Sequence, residues 1–484
     1  MNNRSIFQQQ SQDLMKIYEQ ATHSKKVMVV AIDYAKKEHT VMFCNGNGDI
    51  LRKPFPAKNT LEGANYLIEQ VHKTAHYHKI KSQHVFFGGE DCGTYKDNFA
   101  HALREQGWLV AGVNAKDAKT QRENMQASTD SLDLLGIAHM LINRRGNCSP
   151  AQSGCYKNLR TLVRHRRKLV GLTTEQRNRM HTVVDRLFPG FLDESKSGLA
   201  PFEEPSLRLM EKAFSADQIR RRKNATLLDL LARSGAQKPQ EKALQLQAYA
   251  ETVLHAPKTY VTTLQTSLKQ HVALYRCLSE SINSLEQEIA ITLAQTQGAF
   301  LITIRGTGLV LAAGLCGELG NPTLQKPVNH LVSYAGIIPR VSQTGGTEGQ
   351  AHVGSVAKRC NRILKDYLVQ CASHQGLHGT EDFMADHHRR KANGQHADFG
   401  VARRYLRMAM YLMRHSCVYL PDNLRTGSSF QDRKTYYLNL WPFLLGKWKK
   451  YHAENIAFAP ENPLGQWRDM VQEIYQIRLP MKLR

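Results

Sequence analysis

Four acidic residues, far apart in the chain, carry the clearest chemical signal. Asp33 ends the apolar run Val27-Met28-Val29-Val30-Ala31-Ile32, and Glu90 follows Val85-Phe86-Phe87 and two glycines. Asp130 and Asp133 stand three apart in Ser128-Thr129-Asp130-Ser131-Leu132-Asp133. Strand ends of an α/β sheet lie near one another at a switch point, and residues i and i+3 of a helix share a face. Four carboxylates gathered in this way repel one another unless they hold cations, and hard oxygen donors suit Mg²⁺. Two such ions, about 3.5 to 4 Å apart, stabilise the attacking and leaving oxygens of an in-line phosphoryl displacement. That is nuclease or strand-transfer chemistry. Taken singly, each acid has a plainer role: Asp33 as a turn opener, Glu90 as a solvated loop acid, Asp130 with Ser128 or Thr129 as a helix cap.

The elements that must position these acids read as follows. Strand runs occur at Val27–Ile32, at Thr40-Val41-Met42-Phe43 and around Ile50-Leu51, with Asn45-Gly46-Asn47-Gly48-Asp49 supplying the positive φ of a hairpin turn. Helical spacing follows in Leu61, Ala64, Leu67, Ile68 and Val71, then a strand at 85–87, a helix over about 94–106 and a strand at 109–113. Three strands joined by tight turns and then alternating helix and strand predict a ribonuclease-H/RuvC-like mixed sheet domain. Beyond about residue 155 helical periodicity takes over, so the fold class is α/β plus all-α. Met180, Val183, Val184 and Leu187 form one stripe, stopped by Pro189-Gly190. Val261, Leu264, Leu268, Tyr275, Leu278, Ile282, Leu285 and Ile289 alternate steps of three and four, with His271 at one seam position. This suggests a coiled coil, folded back within the chain or joining two copies; the simpler alternative is an amphipathic helix on its own domain. Residues 195–235 read as charged and irregular. The glycines of Arg305-Gly306-Thr307-Gly308, before the apolar Val310 to Ala313, fit a helix-hairpin-helix turn that meets phosphate, or a turn that only packs two helices. The expected organisation is a leader over 1–24, the catalytic sheet domain over 25–150, a helical and coiled-coil region over 151–297, a helical C-terminal domain over 298–420 and a basic aromatic tail over 421–484.

The chain has 484 residues, and 65 Lys and Arg against 42 Asp and Glu leave a formal charge of +23. Such an excess favours polyanionic partners. Lys157, Arg160, Arg164, Arg166, Arg167 and Lys168 fall in one stretch without an acid, and Arg220 to Lys223, Lys358-Arg359 and Arg389 to Lys391 add shorter runs. A charge run is commonly a solvated face; their number makes nucleic acid the better reading. Trp441, Trp448 and Trp467 lie near Lys447, Lys449 and Lys450, where rings stack on unpaired bases or fill a small core. No apolar run reaches the roughly 20 residues of a membrane span. The polar N-terminus lacks the apolar segment of a secretory signal, so the expected location is cytoplasmic, with the nucleoid. Nine cysteines without a C-x-x-C pair read as reduced, mostly buried thiols. There is no G-x-x-x-x-G-K-[ST] loop, H-E-x-x-H or G-x-S-x-G, which argues against ATP hydrolysis. The His374, His378, His387, His388 and His396 group has no cysteine pair at ligand spacing.

In order, Ala31-Ile32-Asp33-Tyr34-Ala35-Lys36, Glu90 before Cys92-Gly93-Thr94-Tyr95, Val113-Asn114 and Thr129-Asp130-Ser131-Leu132-Asp133 resemble the DEDD transposases of insertion sequences, which are related to Piv-type invertases. Leu301 to Gly320 is similar to that family's second block, with Arg305 where proline is usual, and Tyr334-Ala335-Gly336-Ile337-Ile338-Pro339-Arg340 to the segment before its serine. The similarity covers roughly 27–143, 155–190 and 298–415. It implies a Mg²⁺ site at Asp33, Glu90, Asp130 and Asp133 acting with a C-terminal hydroxyl nucleophile in strand exchange on double-stranded DNA. It also implies a dimer or tetramer and, in some members, a structured guide RNA. The family's serine position is Thr344 here, whose β-methyl crowds attack; Ser342 is the alternative. Arg340 and Lys358 are expected as phosphate clamps. The other readings are a RuvC-like junction nuclease that uses water and a catalytically silent nucleic-acid-binding protein.

Overall fold

The computed structural model describes residues 10–91, 93–123, 130–148, 154–212, 214–324, 327–342, 352–356 and 360–482. The chain divides into two compact units, Met1–Ala151 and Gln152–Arg484.

In the first unit, helix α1 (Gln12–Ala21) precedes strands β1 (Met28–Asp33), β2 (Glu38–Asn45) and β3 (Ile50–Lys58). Helix α2 (Leu61–Tyr77), β4 (Val85–Glu90), α3 (Tyr95–Glu105), β5 (Val110–Val113), α4 (Ala115–Glu123) and α5 (Asp130–Ile142) follow. The sheet order is β3-β2-β1-β4-β5, with β1 antiparallel to β2, β2 antiparallel to β3, and β1, β4 and β5 parallel. This mixed sheet is consistent with the ribonuclease-H-like order. The β2–β3 turn forms because Asn45 Oδ1 accepts the Asn47 and Asp49 amides, each at 3.0 Å, while Gly48 takes φ +97°. Strand β3 runs longer than its apolar signal, through Pro54 and Pro56, residues that an edge strand tolerates. Strand alternation splits the core in two. Val29, Ala31, Phe86, Ala111 and Val113 face α1 and α5, whereas Met28, Val30, Ile32, Phe87 and Val110 face α2 and α3.

The second unit begins with α6 (Gly154–Leu187). Next come α7 (Glu194–Ser197), α8 (Glu204–Lys212), α9 (Ala216–Arg221), α10 (Asn224–Arg233), α11 (Pro239–Thr252) and α12 (Lys258–Ala294). Helices α6 and α12 run antiparallel: Tyr156 meets Gln297, Arg166 meets Glu286 and Gln176 meets His271. One end of this pair is packed by α8–α11 around Phe188, Phe191, Phe214 and Leu268. The segment expected to be irregular, 195–235, is therefore folded. Its charges pair along helices, as in Arg208–Glu204 and Arg233–Asp229, while Leu207, Leu209, Ile219, Leu227 and Leu231 are buried.

The other end of the α6–α12 pair enters a second core. It is built by a 3₁₀ segment (Gln297–Thr303), α13 (Leu309–Leu319), α14 (Val328–Tyr334), strands β6 (Pro339–Ser342) and β7 (His352–Val356), and α15 (Arg362–His378). Helices α16 (Glu381–Ala392), α17 (Ala397–His415), α18 (Asp422–Arg425), α19 (Phe430–Lys449), α20 (Glu454–Ala457) and α21 (Pro463–Tyr475) complete the unit. The β6–β7 pair is antiparallel. The expected helix-hairpin-helix has a 3₁₀ segment in place of a first α-helix. Its turn is fastened from within: Gln375 Nε2 donates to the Arg305 carbonyl at 2.7 Å, and the Thr307 and Tyr405 hydroxyls meet at 2.9 Å. Trp441, Trp448 and Trp467 are buried in this core, which decides for packing over base stacking. Among the described cysteines Cys44, Cys148, Cys316 and Cys371 are buried, whereas Cys155, Cys360 and Cys417 are half-buried and Cys277 is exposed.

Candidate functional site

Asp33 and Glu90 are brought together by strand register. The parallel β1–β4 ladder pairs Ala31 with Gly88 and Ile32 with Gly89, so the next step sets Asp33 beside Glu90 on strands about 4.8 Å apart. Both residues are half-buried. By alternation both share the face of Ala31 and Gly88, the face on which α5 packs. Helix α5 opens at Asp130, and Asp133 is one turn in, on the stripe that continues through the buried Ile137 and Met140. The side chain of Asp130 lies outside the described residues. Among the described residues no three His, Cys, Asp or Glu side chains form a metal-holding group. The described core of the site is therefore the Asp33–Glu90 pair, with Asp133 on the helix covering the same face.

Several residues that hold this strand end carried no chemical signal in the sequence. A Cβ at Gly88 would lie 2.5 Å from Leu141 of α5, and one at Gly89 would lie 2.4 Å from the Tyr34 ring. The two glycines let helix and loop close on both faces of β4 just before Glu90; glycines inside a strand run are the signal that points to such an approach. His39 is fully buried, and its Nδ1 accepts the Ala35 amide at 3.1 Å, fixing the turn after Asp33. Burial lowers its pKa, which outweighs the opposing influence of Asn59 and favours the neutral ring. Asp91, next to Glu90, forms an ion pair with Lys96 at the start of α3.

The second expected centre is the hydroxyl loop. Ser342 ends β6 with its backbone paired to His352 of β7, and Arg340 lies within β6. Thr344, Lys358 and Arg359 lie outside the described residues. The turn into β6 passes through Gly336 at φ +66°, in the left-handed region that favours glycine.

The basic stretch on α6 is less free than its sequence suggests. Arg164 makes a bidentate pair with Glu318 of α13, at 2.7 and 2.9 Å, and Arg160 approaches the same carboxylate at 3.4 Å. Arg166 pairs with Glu286 at 2.6 Å and Arg167 with Asp366. Lys157 and Lys168 are exposed. Four arginines thus spend much of their charge on acids more than a hundred residues away, which no local reading of the stretch reveals.

Two segments match family models. Residues 30–189 match a transposase model of the DEDD IS110 type, and residues 298–388 match one described as the transposase IS116/IS110/IS902 family. The chain belongs to the IS110 transposase family. The first IS110 segment contains Asp33, Glu90, Asp130 and Asp133, and the second contains α13, β6, β7 and Asn361. The chain is also similar to the transposase for insertion sequence element IS1328 from Yersinia enterocolitica, at 33% identity over 119 residues. That match covers 24% of this chain and 34% of the relative, so the chain spans about a third of the curated relative's length.

Proposed function

We propose that this protein is the transposase of a mobile insertion element, a recombinase that cleaves and exchanges strands of double-stranded DNA. The observation that carries the reading is the register that sets Asp33 beside Glu90 at the carboxyl ends of parallel strands, on the face covered by α5. Two adjacent carboxylates fit Mg²⁺, which is commonly bound by one or two protein carboxylates together with waters and substrate phosphate. Asp33 and Glu90 would hold the ion, with Asp130 and Asp133 completing the set, and the ion would supply Lewis-acid polarisation of the scissile phosphate. The chain's own part is to seat the phosphate against these acids and bring a hydroxyl, Thr344 or Ser342, to phosphorus. The P–O bond to the leaving strand breaks as the protein–phosphate ester forms. A later strand hydroxyl displaces the protein, so the bond is conserved without ATP. Arg340, Lys358, Arg359 and Lys168 are proposed to contact the DNA backbone, as are those parts of Arg160, Arg164, Arg166 and Arg167 not engaged by acids. On the family resemblance, a structured RNA guides target choice and the protein acts as a dimer or tetramer.

The test uses a nicked element end with Mg²⁺. Wild type is expected to yield a covalent protein–DNA adduct, and Asp33→Asn to reduce cleavage about 100-fold or more while still binding DNA. Cleavage without an adduct would assign the nucleophile to water. Unchanged cleavage in Asp33→Asn would overturn the metal-dependent reading.

A further inference from the structure

Glu318, on the last turn of α13, has a fully buried side chain. Its carboxylate is surrounded by donors from two directions. From α6, Arg164 Nε and Nη2 donate to Oε1 and Oε2 at 2.7 and 2.9 Å, with Arg160 at 3.4 Å. From the start of α15, Asn361 Nδ2 donates to Oε2 at 2.8 Å. Burial opposes ionisation, yet the hydrogen bonds from Arg164 and Asn361 and the charge of Arg160 outweigh it, so the carboxyl sits below its usual pKa and is an anion.

Asn361 makes more contacts than this one. Its Oδ1 caps α15 by accepting the Leu364 amide at 3.1 Å, its backbone amide donates to the Tyr334 carbonyl at 2.8 Å, and Nδ2 also reaches the Tyr334 hydroxyl at 3.0 Å. Tyr334 is the last residue of α14, five positions before β6 begins, and Asn361 stands five positions after β7 ends. Both roots of the β6–β7 pair therefore meet at one side chain, and that side chain is held by Glu318. A cap alone would not require this: a serine or aspartate at position 361 would also accept the Leu364 amide.

We propose that Glu318 and Asn361 are positioning residues, a buried clamp that fixes the β6–β7 pair and so places the hydroxyl it carries; the catalytic part of this inference rests on the transposase reading above. The clamp anchors the pair to α6 through Arg164, so the strands are set against a long helix rather than a surface loop. A hydroxyl nucleophile needs such a root, since misplacement by about 1 Å costs on the order of 100-fold in rate.

Asn361→Asp is the discriminating variant. It keeps the α15 cap but replaces a donor to Glu318 with a second carboxylate. The double variant Glu318→Gln with Asn361→Asp reverses donor and acceptor and keeps the net charge. Amide hydrogen exchange of the full-length protein and adduct yield on the nicked element end are measured together. Asn361→Asp is expected to speed exchange in β6 and β7 at least about tenfold, with α16 and α17 still protected. It should lower adduct yield by a similar factor, and the double variant should restore both. Unchanged exchange in β6 and β7, or acceleration spread evenly over the second unit, would overturn the clamp. A wild type that forms no adduct, with the exchange pattern as expected, would overturn the covalent chemistry and support the clamp.

Discussion

Lys447 of α19 shows how one side chain can join distant parts of the molecule at a measurable cost. Its ammonium donates to the Thr307 carbonyl at 2.6 Å and to the Ile302 carbonyl at 3.2 Å, on either side of the glycine turn that opens α13. Burial pulls its pKa from 10.5 down to about 8. The unfolded chain therefore holds this proton across the interval in which the folded protein has released it, and stability rises with pH over that interval. From pH 8 to 10 the melting temperature of the wild type is expected to rise relative to Lys447→Met; parallel curves would remove Lys447 as the cause. Below about pH 8 the residue is protonated in both states and its contribution is flat. Arg164 is the complementary case. Arg164→Ala leaves the buried Glu318 with only Arg160 and Asn361, and is expected to cost on the order of 2–3 kcal/mol of folding stability in a denaturant titration. Its effect on DNA affinity should be smaller than that of the exposed Lys168→Ala.

At the level of elements, the seam between α6 and α12 contains a buried polar step among its apolar contacts. Gln176, almost fully buried, places its Nε2 2.6 Å from His271 Nδ1 and 3.1 Å from the His271 carbonyl. A polar residue in a helical seam sets register at a cost in stability. Replacing both Gln176 and His271 with leucine is expected to raise stability by about 1 kcal/mol, read as a higher denaturant midpoint. Unchanged or lower stability would show that the pair earns its place by hydrogen bonding alone. His271 was already visible in the sequence as the break in the three-and-four spacing; its partner was not, because Gln176 is 95 positions away. The same distinction explains what was legible elsewhere. The strands ending at Asp33 and Glu90 announce themselves by apolar runs closed by an acid, and the β2–β3 turn by its Asn-Gly steps. Helices α8 to α10 were hidden because i,i+4 ion pairs made a charged surface resemble a loop. Strands β6 and β7, short and isolated, offered no run long enough to distinguish from a turn.

For the whole molecule, the excess of 23 positive charges predicts a polyanionic partner whose binding weakens with salt. A protein that neutralises roughly six phosphates loses about 1000-fold in affinity between 50 and 200 mM salt. A log–log plot of duplex affinity against salt is expected to be steep for the wild type and shallower by nearly one unit in Lys168→Ala. A slope near zero in the wild type would argue against a phosphate-driven interface. Charge predicts a polyanion but cannot place the interface, since the acids that silence Arg164, Arg166 and Arg167 become neighbours only on folding. The proposed carboxylate set is legible as a pattern because Asp33, Glu90 and Asp130 sit at element ends, where residue type and position coincide. The Glu318 clamp was unreadable because its members come from three separate segments, α6, α13 and the start of α15.

Helices α19 to α21 lie wholly beyond the second matched segment, which stops at residue 388, yet Trp441, Trp448 and Trp467 fill the same core as α13 and α15. Ending the chain at residue 420 would keep the hydroxyl strands while removing the tryptophans that share a core with α13 and α15. Such a shortened polypeptide should come out of the ribosome insoluble, and supplying residues 421–484 as a separate chain is the rescue that would show why.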